Sequence, residues 1–290
     1  MEQVGAELQV VATPDPCADG GCGRCATTIG GEAVHACLVP AWRGGGGRPL
    51  QSRVVIAHSL HDAYAELERR IPGTRVIAGG TDFMVAVNAG AGLDRIGQVL
   101  DIRDVPELRG IAVRDEIVSI GAATTYAELS RSGDVPAAFA EVAGSISPEA
   151  VRNRGTVGGN VCSASPRGDL LPLLLAADAS LVAGGPRGER AIAVEDFFIA
   201  PGKTALAADE LMLRVEIRAV SQVATRQAGG VRAAVERARP RRIAIGGPVL
   251  RRCRWAEAAL ERGGDVRSAL EVDLGGLCGP AADLILPLIQ

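Results

Sequence analysis

The chain has 290 residues, 47% of them hydrophobic, and a formal net charge of −3 from 31 basic and 34 acidic side chains. This length admits one large domain or two ordinary ones and excludes a single small module. Basic residues dispersed through a chain so balanced argue against nucleic acid or an anionic membrane surface as the main partner, leaving small molecules and proteins.

The start, Met-Glu-Gln-Val-Gly-Ala-Glu, has neither the basic opening nor the apolar run of a secretory signal, so a cytoplasmic protein is expected. The longest apolar stretch, Leu170 to Val182, is broken by Pro172 and Asp178, and no membrane span is expected. Seven cysteines, an odd number without an export signal, favour reduced thiols or metal ligands over a disulfide framework. Four residues separate Cys17 from Cys22, two separate Cys22 from Cys25, and eleven precede Cys37. This is the spacing of plant-type 2Fe–2S clusters, in which thiolates are soft ligands for ferric iron. The same four cysteines are also a compatible ligand set for a zinc knot. Cys162, Cys253 and Cys278 read as unligated thiols.

Arg43 to Arg48 is nearly all glycine and reads as a flexible connector between this head and the body. In the body, Ser59 with Asp62 signals a capped helix with Leu60, Ala63, Tyr64 and Leu67 on one face, ended by Pro72-Gly73. Arg75 to Ala78 reads as a strand running into Gly79-Gly80, with Thr81 or Asp82 capping the next helix. Val99 to Ile102 reads as a buried strand, and Ile111 to Val113 with Ile117 to Ile120 as a hairpin turning at Arg114-Asp115-Glu116. Thr125 with Glu128 makes a second capping box. A helix around Pro136 to Ala143, a polar loop from Ser147 to Ser165 and an apolar helix from Leu170 to Ala177 follow. Ser180 to Ala183 and Leu211 to Ile217 read as strands. Without strict alternation of strands and helices, an α+β body is expected rather than a doubly wound parallel sheet. Beyond Arg218 the pattern deteriorates. Thr225 to Arg242 reads as a basic helix or a disordered stretch, and only Trp255 to Glu261 as a clear helix. The expected organisation is a head and linker at 1–50, a body at 51–220, and a divergent or poorly ordered segment at 221–290.

A Gly-Gly pair directly after a strand leaves N–H groups uncovered, and these can converge on phosphate oxygens. Gly79-Gly80 is such a pair, although a tight strand exit would use the same residues. The segment Val151 to Asn160, followed by Ser163-Ala164-Ser165-Pro166 and Asp169, packs glycines, hydroxyls, an amide and a carboxylate closer together than a plain turn needs. Arg152 and Arg154 read as ordinary solvated charge, and Asp169 as a helix cap before Leu170, a ligand contact, or both. Neither loop is a Rossmann fingerprint or a P-loop.

The order Val-Ile-Ala-Gly-Gly-Thr-Asp, Ile120-Gly121-Ala122-Ala123-Thr124-Thr125, Val-Arg-Asn-Arg-Gly-Thr-Val-Gly-Gly-Asn and Ser-Pro-Arg-Gly-Asp-Leu-Leu-Pro closely resembles the FAD domain of molybdenum hydroxylases. That family includes xanthine dehydrogenase and the medium subunit of carbon monoxide dehydrogenase. The likeness runs from about Ile56 to Ile217, and the Cys22 to Ala41 segment is similar to the first cluster motif of the same family. The resemblance implies a p-cresol methylhydroxylase-like fold, two α+β halves with FAD between them. It places the cofactor against Ile77, Ala78, Gly79, Gly80, Thr81, Asp82, Thr156, Gly158, Gly159, Asn160, Ser163 and Asp169. Ile146 and Met212 fall where the family has apolar contacts to the flavin, though plain core roles suit them equally. A 2Fe–2S cluster on Cys17, Cys22, Cys25 and Cys37 is implied too. Electrons would pass from iron–sulfur centres through FAD to an acceptor such as NAD. A molybdopterin-binding large subunit, and a separate iron–sulfur subunit, would be the partners. No catalytic acid or base is nominated. The second, helical 2Fe–2S domain has no counterpart here, and no lysine between Thr225 and Gln290 matches the family's flavin-proximal one. Two rival readings follow: a flavin-binding remnant without electron relay, and a zinc-knotted small-molecule binder.

Overall fold

The computed structural model describes residues 26–29, 32–35, 53–88, 95–146, 148–238 and 240–289. Cys17, Cys22, Cys25 and Cys37, and the Arg43 to Arg48 connector, lie outside the described residues. Strands β1 (Ala26–Ile29) and β2 (Glu32–His35) pair as an antiparallel hairpin between the third and fourth of those cysteines.

The first lobe is built from β3 (Arg53–Ile56), α1 (Leu60–Glu68), β4 (Thr74–Ile77), α2 (Thr81–Asn88) and β5 (Gln98–Asp101). Its three strands are parallel, in the order β3-β5-β4. Ser59 caps α1 by accepting the Asp62 N–H, while the Asp62 carboxylate accepts from the His58 N–H at 3.3 Å. β5 is buried at every position because it is the middle strand. β4, at the edge, turns Arg75 and Val76 outward and then buries Ile77 at the mouth of the first glycine loop.

The second lobe starts with the expected hairpin, β6 (Ile111–Arg114) and β7 (Ile117–Gly121), which reverses through Asp115 and Glu116 at φ 48° and 64°. Two left-handed residues match the twist of the flanking strands. Helices α3 (Tyr126–Arg131), α4 (Ala137–Ser145), α5 (Glu149–Arg152), α6 (Val157–Cys162) and α7 (Leu171–Ala176) follow. The chain continues through β8 (Ser180–Gly185), β9 (Gly188–Ala193), α8 (Val194–Phe197) and a small hairpin, β10 (Phe198–Ala200) with β11 (Lys203–Thr204), to β12 (Leu211–Arg218). The resulting antiparallel sheet has the order β6-β7-β12-β8-β9. Phe139, Phe197 and the Leu170 to Ala177 run are buried in one core shared by both lobes. The α+β expectation therefore holds, with the parallel strands confined to the first lobe.

The capping box at α3 is complete, with Thr125 N–H and hydroxyl donating to Glu128 Oε2 at 2.7 and 2.8 Å and Thr125 Oγ1 accepting from Glu128 N–H at 3.1 Å. Burial pushes the Glu128 carboxyl up, but the Thr125 donors and the Arg109 guanidinium together hold it below the usual carboxylate range. The box is therefore fully formed at neutral pH, and its contribution is lost as pH falls through that lowered folded-state pKa. Thr125→Ala is expected to cost about 1 kcal/mol in urea unfolding at neutral pH. A smaller difference between variant and wild type is expected at acid pH; a difference that does not shrink would contradict the assignment.

Of residues 221–290, expected to be divergent or poorly ordered, the described ones, 221–238 and 240–289, form a third folded unit. Strands β13 (Val223–Ala228), β14 (Val231–Glu236), β15 (Arg242–Gly246) and β16 (Arg251–Arg252) make an antiparallel sheet in sequential order. Helices α9 (Arg254–Glu261), α10 (Val266–Leu274) and α11 (Cys278–Ile289) cover one face of it through Ala233, Val235, Ile243 and Ile245. Ala234 and Ala244, on the other face, join the core of the lobes, where α7 packs on β14 and β15. With both faces covered, every residue of β14 is buried, including Arg232 and Glu236. The Arg- and Ala-rich stretch expected to be a basic helix or disordered is thus strand, and its buried charges Arg232 and Glu236 are each paired in the fold. Among the described residues no helix is long and apolar enough to cross a membrane, and no group of His, Cys, Asp and Glu is arranged to hold a metal ion. Cys162, Cys253 and Cys278 are free thiols.

Candidate functional site

A cleft of about 760 Å³ opens between the two lobes, inside the usual range of roughly 300–1,000 Å³ for small-molecule and cofactor sites. Its first wall is the β4–α2 turn, from Ile77 through Gly79 and Gly80 to Phe83. Gly80 sits at φ 72°, in the left-handed region that other residues enter only under strain. Gly79 is fixed by contact instead: a Cβ there would lie 1.9 Å from the Arg154 carbonyl oxygen. The two loops thus touch backbone to backbone, and Arg154 Nε closes the joint by donating to the Gly79 carbonyl at 3.3 Å. Arg152 in turn donates to the Ile146 carbonyl at 2.6 Å. Both arginines, read from sequence as solvated charge, are braces of the cleft.

The second wall differs from the expected polar loop. Residues 147–165 contain α5 and α6, and Thr156 caps α6 by accepting from Gly159 N–H at 3.0 Å. The neighbouring N–H groups are also taken: Val157 donates to Thr124 O, Gly158 to Ala122 O and Asn160 to Thr156 O. This loop therefore presents side chains to the cleft. Asn160 Oδ1 is buried there and has no hydrogen-bond partner. In the first wall the arrangement is reversed. Met84 N–H makes the first bond of α2, to Gly80 O, and among the described residues no acceptor meets the N–H groups of Gly79, Gly80, Thr81, Asp82 or Phe83. Free N–H groups at a helix start favour anions.

Of the residues expected to contact a cofactor, Ile77, Ala78, Gly79, Gly80, Thr81, Asp82, Ile146, Thr156, Gly159, Asn160, Ser163 and Asp169 line this one cleft. Gly158 and Met212 do not. Gly158 lies against Ala122, whose Cβ and carbonyl oxygen would both be 2.7 Å from an added Cβ, so it is a glycine for the packing of α6. Met212 is buried behind the wall, its sulfur 3.9 Å from the Cys162 thiol. Asp169 caps nothing: the N-cap position of α7 is Leu170, without a side-chain bond, and Asp169 pairs with Arg232 Nη2 at 3.1 Å.

Sequence reasoning missed Tyr126, Cys162, Arg75 and Arg167, which also line the cleft. Burial, with the nearby Asp82 and Asp169 charges, pushes the Tyr126 phenol up and keeps it protonated, against a hydrogen bond from Asn160. Burial pushes the Cys162 thiol up to about 12, so no thiolate faces the cleft at neutral pH. Tyr126 could have been found from the Thr125 capping box, which starts a helix at the cleft edge. Nothing in the local sequence marks Arg75.

Residues 50–218 match the family model described as the FAD binding domain in molybdopterin dehydrogenase. The chain belongs to this family. It is 35% identical over 147 residues to the xanthine dehydrogenase FAD-binding subunit of Escherichia coli, an alignment covering 49% of each chain. It is 33% identical over 170 residues to the carbon monoxide dehydrogenase medium chain of Hydrogenophaga pseudoflava, covering 57% of this chain and 58% of that one. The chain thus spans about half the length of the curated relatives it matches. Its fold superimposes on a chain of the Hydrogenophaga pseudoflava carbon monoxide dehydrogenase structure with a TM-score of 0.69 and 25% identity, over 80% of this chain and 91% of that one. A chain of quinoline 2-oxidoreductase from Pseudomonas putida gives the same TM-score of 0.69 at 24% identity, over 78% and 86% of the two chains, a likeness of fold.

Proposed function

We propose that this FAD-binding domain is the flavin-holding component of a molybdenum hydroxylase-type dehydrogenase, taking electrons from iron–sulfur centres and delivering them to an external acceptor such as NAD. The observation that carries the reading is the complementarity of the two walls. One offers a row of unpaired N–H groups, the other an unpaired buried amide oxygen, and the residues that carry them line one cleft between the lobes. A flavin dinucleotide suits that pair. Its diphosphate is an anion for the N–H groups of Gly79 to Phe83, and its hydroxyl-bearing chain supplies the donor that Asn160 Oδ1 lacks. Ile77 and Ile146 supply apolar surface, and Ser163 a further polar contact. When bound, FAD supplies a centre that accepts and releases electrons singly or in pairs. The chain's own residues bind, orient and partly exclude water; none is assigned a proton-transfer role.

The partners in this reading are a molybdopterin-binding large subunit and a separate iron–sulfur subunit. The spacing of Cys17, Cys22, Cys25 and Cys37 supports one 2Fe–2S cluster on this chain as well.

The purified protein is expected to be yellow, with about one FAD released per chain on acid treatment, and to carry iron and acid-labile sulfide. A colourless chain that takes up no FAD on reconstitution would sink the flavoprotein reading. Stoichiometric zinc with background iron would reject the cluster and leave the flavin assignment standing.

A further inference from the structure

The C-terminal sheet meets the cleft wall along residues 165–172. Gly247 N–H donates to Pro166 O at 2.8 Å. Gly246 lies so close to Pro172 that a Cβ would come within 2.6 Å of its Cγ. The third contact is ionic, Arg232 Nη2 to Asp169 Oδ1 at 3.1 Å, and of the residues these contacts reach Asp169 lines the cleft. The Arg232 side chain is only 10% exposed. Gln227, its direct cross-strand partner on β13, aligns it by accepting from the same Nη2. The Arg232 Nε is buried without a partner. A guanidinium is costly to bury unless paired, and the apolar core under α9 to α11 lies on the opposite face of β14, where it contributes nothing to holding this charge. The pairing that Arg232 does make ends on the cleft.

We propose that Arg232 is a positioning residue for the cofactor cleft: it holds Asp169 in the wall and so makes flavin affinity depend on docking of the C-terminal sheet. The inference rests on the FAD reading above. Gln227, Arg232 and Asp169 form a chain of contacts in which each side chain is oriented by the one before it. Coupling of this kind is reciprocal, so cofactor in the cleft must tighten the β13–β14 hairpin by as much as the hairpin tightens the cofactor.

The test uses the full chain, stripped of flavin and titrated with FAD by fluorescence. Arg232→Gln and Asp169→Ala are each expected to weaken FAD about tenfold, with Arg232→Lys recovering part of the loss. Combining Asp169→Ala with Arg232→Gln should add nothing further, because the second residue acts through the first. FAD should slow amide hydrogen exchange across residues 223–236 in the wild type and not in Arg232→Gln. If Arg232→Gln does not fold, Arg232→Lys and the wild-type exchange pattern carry the test. Equal affinity of Arg232→Gln and wild type, losses that multiply in the double variant, or exchange unaffected by FAD would each overturn the proposal. A wild type that binds no FAD would instead remove the reading beneath it.

Discussion

Gly79→Ala is expected to yield a chain that retains no FAD after desalting and that loses on the order of 3 kcal/mol of stability. The added methyl would sit 1.9 Å from the Arg154 carbonyl oxygen and 2.9 Å from the Gly155 Cα. Both are backbone atoms, so no side chain can swing away. The β4–α2 turn must then retreat from the α5–α6 segment, which also breaks the Arg154 to Gly79 hydrogen bond. Urea unfolding and flavin content of the same preparation check it. Gly133→Ala, at a position with nothing within 4 Å of an added Cβ, is the control. A Gly79→Ala chain with wild-type midpoint and full flavin would show that the loops need not touch.

The second large effect is expected from Glu236→Ala. This carboxylate is fully buried at the end of β14 and accepts from the Ser221 hydroxyl, from Gln222 N–H at 2.9 Å and from Ala238 N–H at 2.9 Å. It joins the chain entering the C-terminal sheet to the chain leaving β14. Truncation leaves the buried Ser221 hydroxyl and the part-buried N–H groups of Gln222 and Ala238 without their acceptor, at about 1–3 kcal/mol for a donor that water cannot reach. A net loss of roughly 3 kcal/mol is expected, with Glu236→Gln losing less because its amide oxygen still accepts. Thermal unfolding by circular dichroism gives the magnitude. Limited proteolysis should show new cuts beyond Arg218, and an unchanged digestion pattern would argue that the carboxylate is not what anchors the unit.

Legibility of the fold followed whether local chemistry and burial agreed. Ser59 and Thr125 announced α1 and α3 because a cap is a short-range event. The β6–β7 turn was visible because its charged tip interrupts two apolar runs. β9 was not, because as an edge strand it exposes Glu189 and Arg190 and buries little besides Ile192. β14 was misread for the opposite reason. Its alternation is intact, but Arg232 and Glu236 find partners only in three dimensions, at Asp169 and at Ser221 with its neighbours.

The candidate site was legible as a set of residues and less so as a division of work. The glycine pairs look alike in sequence. In the structure Gly80 permits a turn, Gly79 permits loop contact, Gly158 permits helix packing and Gly159 donates to a cap. The arginines that brace the cleft were invisible because a charge aimed at a backbone carbonyl has no sequence signature.

In the second wall the N–H groups of Val157, Gly158, Gly159 and Asn160 already have acceptors within the chain, whereas in the first wall those of Gly79 to Phe83 meet none among the described residues. Apart from Asn160 Oδ1, the second wall is thus complete in its hydrogen bonding before any ligand arrives, and the first wall is left with a gap in its backbone bonding. In that sense a dinucleotide entering the cleft would act as the last structural element of the β4–α2 region. Loss of the cofactor would be felt as local loosening of that small parallel sheet long before the larger lobe responded.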